Sequence, residues 1–156
     1  MSTLILTCER CGQKNRVPAA RLAQAPVCGK CRHGVTPQAP LDVDGATLEG
    51  LVRESGLPVL VDFFAHWCGP CRTVAPVIAQ LAKARAGQLL VLKVNVDEAP
   101  EAGARHQVSG IPALLLFSGG RERKRLVGAQ PRAAIEAAID GCLRGGDGSS
   151  AATARA

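Results

Sequence analysis

Six of the seven cysteines of this chain fall into three Cys-x-x-Cys pairs, and this pattern constrains the fold more than any other feature. Cys8/Cys11 and Cys28/Cys31 lie in a short, polar, basic segment, whereas Cys68/Cys71 follows an apolar run. No basic residues precede the first apolar residues, so we expect no secretory signal and a cytoplasmic location. In such a reducing compartment, paired cysteines bind metal or exchange electrons more often than they form structural disulfides.

The first two pairs have the spacing of a four-cysteine zinc site. Sixteen residues separate the Cys8/Cys11 pair from the Cys28/Cys31 pair, a separation typical of such sites. Two residues between thiolates let one tight turn point both sulfurs at one ion, and two such turns complete a tetrahedron. Gly12 and Gly29 suit these turns. The pattern predicts one structural zinc ion with no open position, whose binding supplies folding free energy to a segment too small to fold alone.

Other interpretations of this segment remain open at this point. The four cysteines are also compatible with two disulfides or free thiols, and iron is the rival metal. His33 is not needed as a ligand and is expected to be solvated. Residues 1–40 carry six basic side chains against Glu9, a net charge of +5. That charge would permit nucleic-acid binding, but no aromatic residue is present there to stack on bases, so nucleic acid is not an expected partner.

Composition and turn signals divide the chain into four parts. We predict a metal-binding module over 1–32, a linker rich in proline and glycine over 33–40, a main domain over 41–143 and a disordered tail over 144–156. The chain is 47% hydrophobic but only 3% aromatic, so the core must be aliphatic. No apolar run approaches the ~20 residues that a membrane-spanning helix requires.

Helix and strand patterns alternate through the main domain. We predict strands over 58–64, 89–96, 113–117 and 123–127, with a tight turn at Gly119-Gly120. Helices are predicted over 47–55 with Asp44 as N-cap, then over 70–86, 100–107 and 131–143. This order predicts an α/β domain with a mixed sheet and helices on both faces.

The third cysteine pair stands where a predicted strand gives way to a helix. Cys68 at the helix N-terminus would have a lowered pKa, because free N–H groups and the helix dipole stabilise a thiolate. Cys71 follows one turn later, within reach to resolve a mixed disulfide, and Pro70 suits the first helical turn. A second zinc half-site would need a further pair, which the chain lacks. Cys142, the odd cysteine, is expected in the core.

At this point the chain resembles the thioredoxin family. The resemblance rests on Val61-Asp62-Phe63-Phe64-Ala65-His66-Trp67-Cys68-Gly69-Pro70-Cys71-Arg72, Val74-Ala75-Pro76, Lys93-Val94-Asn95-Val96-Asp97, Gly110-Ile111-Pro112, Leu114-Leu115-Leu116-Phe117 and Gly128. With the four-cysteine segment attached, the whole is similar to the zinc-binding bacterial class often called thioredoxin-2. The resemblance implies a thioredoxin fold preceded by a small N-terminal zinc ribbon.

The resemblance also implies a role for each matching residue. Cys68 would attack a substrate disulfide and Cys71 would resolve the mixed disulfide, closing a redox-active disulfide between the two. Asp62 would transfer a proton to or from Cys71, with Lys93 as its charge partner. The remaining matches would line the substrate-binding surface or shape the active-site helix: Trp67, Gly69, Pro70, Ile111, the cis-proline Pro112 and Gly128, with Pro76 as a kink.

Three residues depart from the family pattern. Phe64 stands where the family usually has tryptophan, His66 precedes Trp67, and Ala113 replaces the usual threonine after the cis-proline. None of these changes touches the two cysteines, Asp62 or Pro112. We therefore expect them to affect the reduction potential and substrate preference and to leave the chemistry intact.

The leading hypothesis is a monomeric, cytoplasmic protein-disulfide reductase. Its partners would be disulfide-containing proteins and an NADPH-dependent thioredoxin reductase, as the resemblance implies. One alternative is a zinc-ribbon binding module for protein or nucleic acid, with the redox domain as scaffold. Another is an oxidative-stress sensor or chaperone in which oxidation of the zinc thiolates ejects the metal.

Overall fold

The computed structural model describes residues 1–145. Its elements, in chain order, are β1 (Thr3–Thr7), β2 (Lys14–Pro18), a 3₁₀ helix (Ala19–Gln24), β3 (Leu41–Asp42), α1 (Gly45–Glu54), β4 (Val59–Phe64), α2 (Gly69–Ala84), β5 (Leu90–Asn95), α3 (Pro100–Arg105), β6 (Ala113–Ser118), β7 (Arg121–Val127) and α4 (Arg132–Gly145). The last helix ends two residues beyond the predicted Leu143. The rest of the predicted tail, residues 146–156, lies outside the described residues.

Five strands form one mixed sheet in the order β3-β5-β4-β6-β7. β3, β5 and β4 run parallel, whereas β6 and β7 are antiparallel additions. α1 and α3 pack on one face of this sheet, and α2 and α4 pack on the other. The predicted mixed sheet with helices on both faces is confirmed.

The central strands are buried on both faces because their sequences are almost continuously apolar. All six residues of β4 and all six of β6 are buried. α2 turns a single apolar face, with Val74, Ile78 and Leu81, onto the sheet. Asp44 caps α1 as predicted, because its carboxylate accepts a hydrogen bond of 2.8 Å from the backbone N–H of Thr47.

The N-terminal module is a β1–β2 hairpin with two cysteine turns, and it packs onto the main domain. Leu4 and Leu6 point inward from β1, and together with Leu22 of the 3₁₀ helix they join the same apolar core as α1. The backbone N–H of Gly56 donates a hydrogen bond of 3.0 Å to the carbonyl of Ala19. The module therefore lies at the end of β4 opposite to the cysteine pair, against the segment that leads into that strand.

The segment predicted as a linker also contacts both parts. Val35 is buried in the shared core, and its N–H donates to the carbonyl of Pro26. Residues 33–39 line a cavity of about 470 Å³ together with β1 and Lys83 of α2. In the described residues, no helix combines the length and apolar character needed to cross a membrane.

Candidate functional site

Cys68 and Cys71 are joined by a disulfide at the start of α2, with their Cα atoms 5.2 Å apart. Cys68 is the N-cap residue of this helix, and its sulfur accepts a hydrogen bond of 3.1 Å from the backbone N–H of Cys71. Pro70 lies in the first turn, where its missing N–H has no helical partner to lose. The Cys71 N–H and the positive end of the α2 dipole therefore both point at the Cys68 sulfur, as the sequence predicts.

A second loop reaches the disulfide from the neighbouring strand. The Ile111–Pro112 peptide bond is cis, as the family resemblance implies. The carbonyl oxygen of Ile111 lies 3.9 Å from the sulfur of Cys68. Because β4 and β6 are adjacent in the sheet, the loop after β4 and the loop before β6 meet at one edge.

The other predicted substrate-binding residues surround this edge. Trp67 is 69% exposed, and its indole N–H donates a hydrogen bond of 2.9 Å to Asp97. Gly128 has φ +90°, and its N–H donates to the carbonyl of Pro112 at 2.8 Å. Gly69 and Pro70 are also exposed, whereas Ile111 and Gly128 are partly buried and Pro112 is buried.

Asp97 is a site residue that the sequence analysis did not single out. It follows β5, and its backbone N–H donates to the side-chain oxygen of Asn95 at 2.9 Å. This turn places its carboxylate under the Trp67 indole. Its position after β5 could have predicted this placement, because β5 runs parallel to β4 and both strands end at the same edge of the sheet.

Asp62 lies beneath the start of α2, on the face of β4 that this helix covers. The side chain is 1% exposed, and its Oδ1 atom has no hydrogen-bond partner among the described residues. Burial raises the pKa of this carboxyl to about 6, against an opposing effect of the Lys93 charge. Lys93 stands opposite Asp62 in the parallel register of β4 and β5.

Two of the residues that depart from the family pattern touch each other here. Phe64 packs against the cysteine pair, and the ring of His66 meets it edge-on at 5.5 Å between centroids. The Lys93 ammonium lies 4.4 Å from the centroid of the Phe64 ring. Ala113, the third departure, is buried at the start of β6.

The four cysteines of the N-terminal module form a second, separate cluster. All four sulfurs lie within 4.8 Å of one another, and the pairs Cys8/Cys31 and Cys11/Cys28 are 3.6 Å apart. A tetrahedral zinc ion with Zn–S bonds of ~2.3 Å requires sulfurs about 3.8 Å apart. The residues present therefore fit a four-thiolate zinc site, and the separation matches the predicted ligand set.

Backbone N–H groups support thiolates in this cluster. The N–H groups of Arg10 and Lys30 donate to the sulfurs of Cys8 and Cys28 at 3.4 and 3.3 Å. The pKa of Cys28 is lowered to about 6, first by the N–H of Cys31 and then by that of Lys30, whereas burial and the neighbouring thiols raise the pKa of Cys11 to about 11. A lowered thiol pKa favours the deprotonated form that a metal binds.

Both cysteine turns have a left-handed residue directly after their second cysteine, but the residue type differs between the two turns. Gly12 takes φ +80° in the first turn, as expected of glycine. In the second turn the left-handed position is Arg32, with φ +69°. Gly29 donates its N–H to the side-chain oxygen of Asn15 at 3.0 Å, which ties the second turn to β2.

The remaining sequence predictions lie outside both clusters. His33 is exposed, and Cys142 is 8% exposed on the side of α4 that packs into the core, as predicted. Pro76 lies inside α2 on its exposed side. The six basic residues of the module are all exposed, and none takes part in an ion pair within residues 1–145.

Two family models match the chain. The model described as thioredoxin matches residues 39–141, and the model described as thioredoxin 2, N-terminal, matches residues 7–33. Thioredoxin 1 of Chlorobaculum tepidum is 58% identical over 85 residues, which cover 54% of this chain and 84% of that protein. Thioredoxin C-3 of Corynebacterium nephridii is 37% identical over 126 residues, which cover 81% of this chain and 86% of that protein.

A solved structure shares the fold. A mutant thioredoxin from Halobacterium salinarum NRC-1 superposes with a TM-score of 0.62 at 34% identity. The match covers 68% of this chain and 92% of that one. The thioredoxin model thus covers the five-stranded sheet and its helices as far as residue 141, and the N-terminal cysteine cluster has a family model of its own.

Proposed function

The chain belongs to the thioredoxin family as a thiol–disulfide oxidoreductase, and we propose that Cys68 is its nucleophile and Cys71 its resolving cysteine. One observation carries this assignment: the Cys68 sulfur caps α2 and faces the Ile111–Pro112 loop, whereas Cys71 lies inside the first helical turn. A thiolate at that N-cap is stabilised by the helix dipole and by the Cys71 N–H. The activity is the reduction of protein disulfides.

Exchange proceeds in two steps that balance in electrons and protons. The Cys68 thiolate attacks one sulfur of the substrate disulfide, which breaks, and the departing substrate thiolate takes up a proton. Cys71 then loses its proton, and its thiolate attacks the Cys68 sulfur, which displaces the second substrate sulfur. The substrate gains two electrons, and the protein is left with the Cys68–Cys71 disulfide.

Asp62 is proposed to accept the proton of Cys71 in the second step. A buried carboxyl whose pKa is raised to about 6 is mostly ionised near neutral pH, yet it is a stronger base than an exposed aspartate. Its place on the face of β4 beneath α2 supports this role. Lys93 is proposed as the charge partner that limits how far burial raises this pKa.

The rim of the disulfide is proposed to receive the substrate chain. The exposed Trp67, Gly69 and Pro70 and the partly exposed Ile111 and Gly128 suit an extended peptide that carries the target cysteine. The proposed contact residues are Trp67, Gly69, Pro70, Ile111, Pro112 and Gly128. Support comes from the approach of the Ile111 carbonyl to within 3.9 Å of the Cys68 sulfur and from the hydrogen bond that links Gly128 to Pro112.

Membership of the family implies disulfide-containing proteins as substrates and a thioredoxin reductase as the source of electrons. We propose further that the reductase uses NADPH and that the chain works as a monomer in the cytoplasm. We also propose the domain limits 1–32, 33–40 and 41–143. One zinc ion, held by Cys8, Cys11, Cys28 and Cys31, would be a closed structural centre when bound.

Insulin reduction tests the proposed cysteine roles. Reduced protein is expected to cleave insulin disulfides in the presence of a thiol reductant, and Cys68→Ser is expected to lower the rate to that of the reductant alone. Cys142→Ser is the matched control, because it removes a buried thiol far from the disulfide and should keep the full rate. Full activity in Cys68→Ser would refute the assignment.

A further inference from the structure

The Phe64 ring contacts both the cysteine pair and the Lys93 ammonium. Phe64 is the last residue of β4, is 8% exposed and packs against Cys68 and Cys71. The Lys93 ammonium lies 4.4 Å from the centroid of this ring. Phe64 is also a position at which the chain departs from the family pattern, in which tryptophan is usual.

Lys93 is engaged by the aromatic ring and not by the carboxylate opposite it. Asp62 and Lys93 are register partners on adjacent strands. Yet the ion pairs found in residues 1–145 do not include these two side chains, and the Asp62 Oδ1 atom has no hydrogen-bond partner there. A cation over an aromatic face is attracted by the ring quadrupole, most strongly where water is scarce. The ring therefore offers the ammonium a position apart from the carboxylate.

We propose that Phe64 is a positioning residue whose ring holds the Lys93 ammonium away from the Asp62 carboxylate, so that the carboxylate stays basic enough to take the proton of Cys71. A close Asp62–Lys93 ion pair would stabilise the carboxylate and weaken it as a base. The proposal rests on the proposed role of Asp62 in proton transfer. Phe64 would thus set the basicity of the Asp62 carboxylate without itself donating or accepting a proton.

Other charged and titratable groups near the ring come from two further segments. His66, in the loop after β4, meets the ring edge-on, and the guanidinium of Arg72 donates to the His66 carbonyl. The cysteine pair approaches from α2. For Asp62 itself, the charge that opposes the effect of burial is that of Lys93. A change at Phe64 should therefore reach Asp62 through Lys93, and His66 supplies a control.

The test is a pH titration of the Asp62 side-chain carboxyl by carbon NMR in the oxidised, zinc-loaded, full-length protein. Phe64→Leu and Phe64→Met both remove the aromatic face but keep an apolar side chain, which guards against one of them failing to fold. In either variant Lys93 is freed to approach Asp62, and the proton affinity of Asp62 is expected to fall about tenfold. Phe64→Trp restores an aromatic face and is expected to keep the native titration.

The Lys93→Met background separates positioning from packing. There, Phe64→Leu is expected to leave the Asp62 titration unchanged, because the cation through which Phe64 acts is gone. His66→Ala is expected to leave it unchanged in the native background. The proposal is overturned if Phe64→Leu and Phe64→Met do not weaken proton binding, or if they weaken it equally in Lys93→Met. Because this titration does not measure turnover, its outcome is independent of the insulin test.

Discussion

Asp62 is an acidic residue in the middle of a fully buried strand, and its energetic cost is open to measurement. Its folded-state pKa of about 6 lies above the ordinary value of 3.8. Between these two values the unfolded chain has lost the proton that the folded chain still holds, so stability falls as the pH rises through this window. Above about pH 6 both states are ionised, and the full cost is present at pH 7.

Asp62→Asn is therefore expected to stabilise the oxidised protein at neutral pH. The pKa difference corresponds to about 3 kcal/mol of unfolding free energy at pH 7, and the gain should vanish near pH 4, where the native carboxyl is also protonated. Urea unfolding at several pH values measures this. The same variant should resolve mixed disulfides more slowly, because it has lost the proposed proton acceptor.

Glu98→Gln, which removes an exposed carboxylate in the loop after β5, is the matched control and should change neither quantity. A destabilised Asp62→Asn protein at pH 7, or a gain that does not depend on pH, would contradict the account of Asp62. The burial that makes the Asp62 carboxylate more basic also lowers the stability of the protein, as is typical of buried acids in functional sites.

The contact between the 3₁₀ helix and the segment before β4 decides how the ribbon sits on the redox domain. A Cβ atom added at Gly56 would lie 2.7 Å from the backbone oxygen of Ala20, which no side-chain rotation can relieve. Gly141 in α4 has nothing within 4 Å of the same position and serves as the control. The two glycines thus offer the same substitution with and without a close backbone neighbour.

Gly56→Ala is expected to lower the unfolding free energy of the zinc-loaded protein by about 1–3 kcal/mol, as overpacking does. Gly141→Ala should raise it by up to about 1 kcal/mol, because alanine loses less backbone entropy in a helix. Urea unfolding of both variants gives the comparison. An equal change in unfolding free energy for the two substitutions would mean that the Ala20 carbonyl does not lie close to Gly56 in solution.

The longer elements were predictable from sequence, and the contacts between modules were not. The apolar run of β4 and the amphipathic spacing of α2 have strong local signals, and the Cys68 N-cap follows from where these two meet. The two-residue β3 and the six-residue 3₁₀ helix are too short to show a detectable periodicity of apolar residues. Their positions depend on pairing with β5 and on packing against α1, which local sequence does not encode.

In the candidate site too, the sequence predicts which residues take part but not the contacts between their side chains. The resemblance identified Asp62, Lys93 and Pro112 at once, because these residues stand in quoted motifs. The engagement of Lys93 by the Phe64 ring was not predictable, since it depends on side-chain placement across two strands. The left-handed turn at Arg32 was also missed, because arginine gives no sign of a positive φ.

At the scale of the whole molecule, the ribbon and the redox domain share one apolar core. Side chains of β1, β2 and the 3₁₀ helix pack with those of α1 and of the sheet face that it covers. Cys8 and Cys28, two of the four cysteines of the N-terminal cluster, are themselves buried in this core. Metal binding is therefore expected to stabilise the redox domain as well as the ribbon.

Removal of zinc by a chelator is expected to lower the stability of the redox domain by at least about 2 kcal/mol, the cost of exposing one or two large apolar side chains. The single tryptophan, Trp67, reports on the end of the domain away from the ribbon. Its fluorescence in urea should show a lower midpoint after chelation, and added zinc should restore it. An unchanged Trp67 midpoint would mean that the two modules unfold independently.

The central claim is that one cluster of cysteines holds metal and the other exchanges electrons. The most direct test is to oxidise the reduced, zinc-loaded protein mildly while zinc is counted and disulfides are mapped by mass spectrometry. The account predicts that Cys68–Cys71 closes first while one zinc ion per chain stays bound. Zinc release with the first disulfide, or a first disulfide among Cys8, Cys11, Cys28 and Cys31, would contradict it.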